Sequence, residues 1–248
     1  MTGSLPFGTA EILAAVAGAG RALDAGCGGG RLTVSLAQSG AEVTGIDTSA
    51  ERLEQARGRA LDAGVELQLL MADFNEPLAF GDDAFDAVTS RLALMAASDP
   101  VGTLRELGRV LEPGGRLVTV LWAAMSENPW FGVPRDAVAA VLGPERAAFA
   151  RAFGRLGDPA EAADAHRAAG LVEVEARLLR ERRAAPDAAD YWRALAAENG
   201  HFRRVATALG EEEREALDRE LEARLEPYRE GDGLSLPRTL VLVTARAR

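Results

Sequence analysis

Leu23-Asp24-Ala25-Gly26-Cys27-Gly28-Gly29-Gly30 reads as a strand end, then a glycine loop, then a helix that starts near Arg31. Gly26, Gly28 and Gly30 supply backbone without Cβ, so a bound group approaches the main chain closely. The helix behind the loop aims unpaired N–H groups and a partial positive charge at the same place. A glycine run alone is a weak signal, because many tight turns share it. Its weight comes from the acids that follow.

Asp47 closes the segment Ala41-Glu42-Val43-Thr44-Gly45-Ile46-Asp47, which reads as a second strand. A carboxylate there accepts hydrogen bonds from both hydroxyls of a ribose. The competing use is to cap the next helix. Thr48-Ser49-Ala50-Glu51 is a capping box that assigns this task to Thr48 and leaves Asp47 for a ligand. Asp73 ends a strand expected over 65–73. It suits an exocyclic amino group such as that of adenine, or a plain turn before Asn75-Glu76-Pro77. Phe74 adds a flat apolar contact for a base. Phe85-Asp86 lies on a further strand, and Arg91 follows it, facing a ligand carboxylate or forming a salt bridge at the rim. Asp24 either orders the glycine loop or meets a ligand ammonium through water. Leu111-Glu112-Pro113-Gly114-Gly115-Arg116-Leu117-Val118 reads as a helix end, a turn and a new strand.

These stretches, LDAGCGGG (23–30), GIDTS (45–49), MADF (71–74), FDAVTS (85–90) and LEPGGRLV (111–118), resemble the class I S-adenosylmethionine-dependent methyltransferases, in the family's order and over the first half of the chain. The resemblance implies an α/β fold: a Rossmann-like, seven-stranded, mostly parallel sheet with helices on both faces. It implies S-adenosyl-L-methionine as co-substrate. The donor site it implies is Asp24, Gly26, Gly28, Asp47, Thr48, Asp73, Phe74 and Arg91. In that family the glycine loop holds the methionine end, Asp47 matches the ribose acid, and Asp73 with Phe74 matches the adenine site. Leu121-Trp122 and Asn128-Pro129-Trp130-Phe131 resemble a subgroup with small-molecule acceptors.

The main rival is a nicotinamide dehydrogenase, which shares the strand, glycines, helix and second-strand acid. Its G-x-G-x-x-G pattern needs glycine at position 31, where this chain has Arg31. A phosphate-loop reading fails because no Lys follows the glycines.

A length of 248 residues fits one sizeable α/β domain. Against 38 acidic residues stand 28 basic ones, a net charge of −10 that disfavours nucleic acid and anionic membrane as partners. All the basic residues are Arg, which excludes Schiff-base or general-base chemistry through lysine. The single Cys27 rules out an internal disulfide, and its place in the loop reflects size rather than reactivity. The segment 1–7 has no basic stretch before an apolar run, and 12–20 is too short to span a bilayer, so a cytoplasmic location is expected.

Alternating strand and helix patterns through position 123 predict βαβ units. Leu53, Ala56, Ala60 and Ala63 mark one helix face; Val101, Leu104, Leu107 and Leu111 mark another, stopped by Pro113-Gly114. Asp158-Pro159-Ala160-Glu161 opens a third helix, and 172–176 reads as a strand. Within 1–248 as a single domain, the segments 124–157 and 185–233 exceed what the sheet needs. The second holds helical patterns near 189–198 and over 211–225, before a closing strand over 239–244. Both insertions are expected to form a helical cap over the carboxyl ends of the strands.

Methyl transfer from a sulfonium is an in-line displacement that demands alignment and exclusion of water. A base is needed only where the acceptor carries a proton. His166 reads as a surface residue of its helix. His201, in Asn199-Gly200-His201-Phe202 of the expected cap, is the candidate general base or a pocket-lining residue. Tyr191 and Tyr228 are weaker candidates. Trp122, Trp130, Phe131, Tyr191, Trp192 and Phe202 suit either an aromatic acceptor wall or ordinary packing. Two distant histidines and one thiol give no metal spacing, so no metal is expected. The leading expectation is methyl transfer to a small molecule, with a secondary metabolite as a candidate. The alternatives are a cyclisation or rearrangement on the same donor fold and a non-catalytic binding module. The acceptor atom and oligomeric state stay open.

Overall fold

The computed structural model describes residues 5–148 and 153–248. Residues 149–152 of the expected 124–157 insertion, and 1–4 of the amino-terminal segment, lie outside them. Along the chain run α1 (Thr9–Ala15), β1 (Arg21–Ala25), α2 (Arg31–Gln38), β2 (Glu42–Asp47), α3 (Ala50–Ala63), β3 (Gln68–Met71) and β4 (Phe85–Arg91). Then follow α4 (Pro100–Arg109), β5 (Leu111–Trp122), α5 (Pro129–Leu142), α6 (Pro144–Ala147), α7 (Pro159–Ala168) and β6 (Val172–Ala185). The rest is α8 (Ala188–Glu198), α9 (Gly200–Thr207), α10 (Glu211–Leu225), β7 (Arg229–Glu230) and β8 (Gly233–Arg246).

Two compact units emerge. The first takes the chain up to Ala123, with Gly154–Leu179 and Leu240–Arg248; the second takes Ala124–Phe153 and Arg180–Thr239.

The sheet runs in the order β3-β2-β1-β4-β5-β8-β6, with β7 paired to β8 off this path. Strands β1 to β5 pair in parallel, and β8 runs antiparallel to β5 from Arg116↔Arg246 to Trp122↔Leu240. The α/β, mostly parallel architecture is therefore as expected, and β7 adds an eighth strand. The chain steps from β1 outward to β2 and β3, then returns to β4 on the other side of β1. Right-handed crossovers in opposite directions place α2 and α4 on opposite faces. The order reverses between β1 and β4, and the carboxyl ends of these strands are where open α/β sheets take their ligands.

On one face Ile12 and Val16 of α1 and Leu32 and Leu36 of α2 pack on Ala22, Val43, Ala87, Val118 and Val120. Thr119, between Val118 and Val120, faces the other way, as strand alternation requires. There it meets His166 of α7, which is fully buried. The surface placement expected for His166 is thus corrected: it lies on the inward stripe of α7 with Ala162 and Ala163.

The helix starts follow their caps. Asp99 accepts from Gly102 N at 3.0 Å and opens α4 with Pro100 at the first turn. Asp158 does the same for α7, accepting from Ala160 N and Glu161 N. The cap of α3 is Ser49, whose Oγ accepts from Arg52 N, and not Thr48. Helix α4 ends at Arg109, one turn earlier than its apolar spacing suggests. Leu111 already pairs with Phe85 in the sheet, and Glu112–Gly115 form an irregularity in β5 before Arg116 resumes opposite Ala87. Strand β3 is shorter than the expected 65–73, whereas β6 and β8 are far longer than 172–176 and 239–244.

In the second unit α10 packs on α5 and α8, and α8 on α9. Leu217, Leu221 and Leu225 form the buried stripe of α10, as their spacing predicts. Asn128 holds this unit together locally: its Nδ2 donates to Ala124 O, and its Oδ1 accepts from Thr239 N.

Candidate active site

Three glycines do three different jobs in the turn from β1 to α2. Gly26 has φ +77°, and a Cβ built there falls 2.3 Å from Ala93 Cβ and 3.3 Å from a ring carbon of Phe74. Gly30, the αL residue before α2, packs on α3, with a built Cβ 2.7 Å from Ala56 Cβ. Gly28 has φ +55°, and its built Cβ meets nothing within 4 Å. Gly26 and Gly30 are thus fixed by packing, and Gly28 is the open approach to the backbone.

Ties from three directions hold the loop. Gly26 N and Cys27 N both donate to Ile46 O at 2.9 Å, Gly28 N donates to Asp47 Oδ2, and Arg59 of α3 donates to Gly29 O. Asp47 is buried, and its Oδ1 accepts from Ser49 N at 2.9 Å. Each of its oxygens keeps a second lone pair for a ligand hydroxyl. Thr48 is exposed between Asp47 and the true cap Ser49.

Asp24 sits beneath the loop at 1% exposure. Thr33 Oγ1 of α2 donates to its Oδ2 at 2.7 Å, and Thr89 Oγ1 of β4 to its Oδ1 at 3.1 Å. Burial lifts its carboxyl to about pKa 6, while the two hydroxyls and the Arg91 guanidinium act to lower it and Asp47 to raise it. Burial together with the charges of Asp24 and Asp47 pushes the Cys27 thiol up to about 12, so it stays protonated.

Asp73 Oδ1 accepts from Asn75 N at 2.9 Å and from Asn75 Nδ2 at 2.7 Å, an Asx turn that Ser98 braces through Asn75 Oδ1. The turn-forming role expected as an alternative is therefore present, and Oδ2 takes no part in it. Phe74, next along the chain, reaches the loop at Gly26. Arg91 donates through Nε and Nη2 to Phe7 O at 3.3 and 3.0 Å, anchoring the segment before α1.

The structure thus gathers Asp24, Gly26, Gly28, Asp47, Phe74 and Arg91 around the carboxyl ends of β1, β2 and β4. Thr48 lies outward and Asp73 follows β3. Thr33, Thr89 and Arg59 belong to the same arrangement and were not expected. Inward-facing threonines beside a buried carboxylate were the readable signal; the reach of Arg59 across 30 residues had none.

His201 belongs to the second unit, near the start of α9, where Asn199 Oδ1 accepts from its N at 2.9 Å. Its ring lies 5.4 Å from Phe202, which meets Trp192 at 5.7 Å. Burial, then the charge of Arg204, lowers its pKa, which favours the neutral, proton-accepting imidazole. Trp130 and Tyr191 pack edge-to-face at 4.7 Å, and Tyr191 donates its hydroxyl to Trp130 O. Desolvation holds that hydroxyl well above its usual pKa, so it stays protonated. Among the described residues no three His, Cys, Asp or Glu stand together as metal ligands, and no helix is long and apolar enough to cross a membrane.

Residues 23–119 match the family described as a methyltransferase domain. The ubiquinone biosynthesis O-methyltransferase of Aeromonas salmonicida is 42% identical over 109 residues, 44% of this chain and 44% of that protein. The chain thus matches less than half the length of this curated relative. The crystal structure of a putative methyltransferase from Bacillus halodurans matches with TM-score 0.66 and 20% identity over 98% of this chain and 99% of that one. The YcgJ protein of Bacillus subtilis matches with TM-score 0.65 and 19% identity over 97% and 98%. These two likenesses establish the fold. The glycine loop and the strand-end acids Asp24 and Asp47 all lie inside the segment that matches a methyltransferase domain.

Proposed function

We propose that this protein transfers a methyl group from S-adenosyl-L-methionine to an oxygen of a small molecule, a class that includes secondary metabolites. The observation that carries the donor assignment is the pairing of Gly28 with Asp47. It puts an unobstructed backbone approach beside a buried carboxylate that keeps lone pairs to spare. Those residues fit the donor. Asp47 would accept the ribose hydroxyls, Phe74 and the unused Oδ2 of Asp73 would meet the adenine, and the loop would border the methionine end. Asp24 would face the ammonium through water, and Arg91 would act through the Phe7 segment that it anchors.

The donor, when bound, supplies an electrophilic methyl on a sulfonium. The chain's part is to hold, orient and dry the site. Oxygen as the methylated atom is supported by the O-methyltransferase relative. A hydroxyl acceptor must lose a proton, and His201 is the side chain we assign to take it. Trp192 and Phe202 beside it suit an apolar or planar acceptor. Residues 185–233 are therefore assigned to acceptor choice.

The test is calorimetric titration with S-adenosylmethionine, S-adenosylhomocysteine and NAD, followed by incubation of the chain and donor with hydroxylated small molecules. The expected results are binding of the first two ligands and release of S-adenosylhomocysteine with a methyl ether product. Tighter binding of NAD overturns the donor assignment. Acceptor conversion without S-adenosylhomocysteine favours a cyclisation or rearrangement instead.

A further inference from the structure

We propose that Thr33 and Thr89 are positioning residues of the donor site, whose hydroxyls clamp the two oxygens of Asp24 so that the ionised carboxylate faces the donor's ammonium group. The inference rests on the donor-binding reading above and adds residues and a pH dependence to it.

Three elements meet at this point. Asp24 is the penultimate residue of β1, Thr33 lies on the inner face of α2, and Thr89 lies on β4. All three side chains are buried, at 1%, 0% and 0% exposure. A buried carboxylate without a partner cation of its own is costly, and it survives ionised only if donors face it. Here one hydroxyl serves each oxygen, at 2.7 and 3.1 Å. Charge-assisted hydrogen bonds of this kind are directional as well as strong, so they fix the plane of the carboxylate. Thr33 carries a second duty: its methyl would sit 3.1 Å from a Cβ at Gly45, so β-branching fills the space that the glycine leaves.

The groups that bear on Asp24 are few. Arg91 on β4 attracts its charge, and Asp47 on β2 repels it. Cys27 in the loop stays neutral. With its carboxyl near 6, Asp24 crosses from charged to neutral inside an accessible range. Protonation removes the partner of the ammonium. Donor affinity should therefore hold above neutral pH and fall as the pH drops through about 6.

The experiment titrates the full chain with S-adenosylhomocysteine by calorimetry between about pH 5 and about pH 8. Thr33→Val and Thr89→Val keep the shape and remove one hydroxyl each. Each is expected to weaken binding ~3- to 10-fold at about pH 8 and to begin its acid fall-off up to ~1 pH unit higher, because the carboxylate has lost a donor. Thr33→Ser is expected to restore the wild-type profile. Folded Val variants with the wild-type affinity and profile overturn the proposal. Should a Val variant fail to fold, the wild type still decides. The Asp24 carboxyl, followed by NMR, is expected to titrate lower with S-adenosylhomocysteine bound, and an unchanged titration shows that Asp24 does not face the ammonium and overturns the proposal. Wild type that binds no S-adenosylhomocysteine at any pH removes the donor reading itself, whereas tight but pH-independent binding removes only this inference.

Discussion

Gly28 N donates to Asp47 Oδ2 at 2.9 Å, so the loop after β1 is strung from the last residue of β2 before any ligand arrives. Asp47 is a structural partner and the assigned ribose acceptor at once. Its other oxygen receives Ser49 N, which fixes the entry to α3.

Asp47→Ala is therefore expected to fail on two counts. Two backbone N–H groups lose a charged acceptor, which costs about 1–3 kcal/mol of stability. Donor affinity falls roughly 30- to 1,000-fold if ~2–4 kcal/mol of ribose hydrogen bonding is lost. Asp47→Asn keeps one acceptor and is expected to be milder in both. Thermal melting and calorimetric titration of the three proteins check this. A folded Asp47→Ala chain with unchanged donor affinity refutes the ribose role.

The glycines are separable by a second set of variants. Gly26→Ala drives a methyl into Ala93 and puts a side chain at φ +77°, so the loop must shift. Gly28→Ala meets open space and suffers only its φ of +55°, a cost of about 1 kcal/mol. Gly26→Ala is expected to melt lower than Gly28→Ala. Ala93→Gly should recover part of the loss for Gly26→Ala and none for Gly28→Ala. Equal recovery in both contradicts the packing account.

The legible part of this chain is the part in which one residue type answers one local demand. The glycine loop, the strand-end acids Asp24 and Asp47, the caps Asp99 and Asp158 and the stripe Leu217-Leu221-Leu225 all belong there. Ser49 and Thr48 both satisfy a capping pattern, and only the backbone at Ser49 (φ −102°, ψ 110°) decides between them. Leu111 has helical spacing yet joins β5, because tertiary pairing with Phe85 overrides periodicity. Helix α9 was not expected: its eight residues open on Gly200 and carry a short polar run, so its apolar period is brief. His166 looked polar and therefore exposed; what buries it is Thr119, 47 positions earlier in another element.

The second unit is expected to govern the acceptor and not the donor. His201→Ala and Trp192→Ala should raise the acceptor KM or lower kcat and leave donor Kd within ~3-fold of wild type. With a hydroxyl acceptor the His201→Ala effect is largest where the wild-type imidazole is neutral and shrinks in acid, where protonation removes the base from wild type as well. Collapse of donor affinity with unaltered acceptor kinetics contradicts the division of labour.

His166 makes acid stability calculable in sign. Its Nδ1 lies 2.7 Å from Ala162 O, and a carbonyl only accepts, so Nδ1 carries the proton. Its Nε2 then accepts from Thr119 Oγ1 at 3.0 Å. Burial holds the pKa down at about 4, against 6.5 in the unfolded chain. The stability this contributes is complete above 6.5 and is lost as the pH falls towards 4. At about 1.4 kcal/mol per pH unit the loss totals roughly 3 kcal/mol. Asp24 acts in the opposite sense. Its carboxyl rises from 3.8 to about 6, so it favours the folded chain at low pH and opposes it as the pH rises through 6. Between 6 and 4 the two effects offset each other. Asp24→Asn is therefore expected to be more stable than wild type at about pH 8, by up to ~3 kcal/mol, and to show a steeper fall in acid. The pair of substitutions His166→Leu and Thr119→Val removes the histidine's titration without stranding its partner's hydroxyl. Denaturant melts of wild type and both variants from about pH 8 to about pH 4 decide the matter. A double variant that loses stability in acid as steeply as wild type shows that His166 is not the group being titrated.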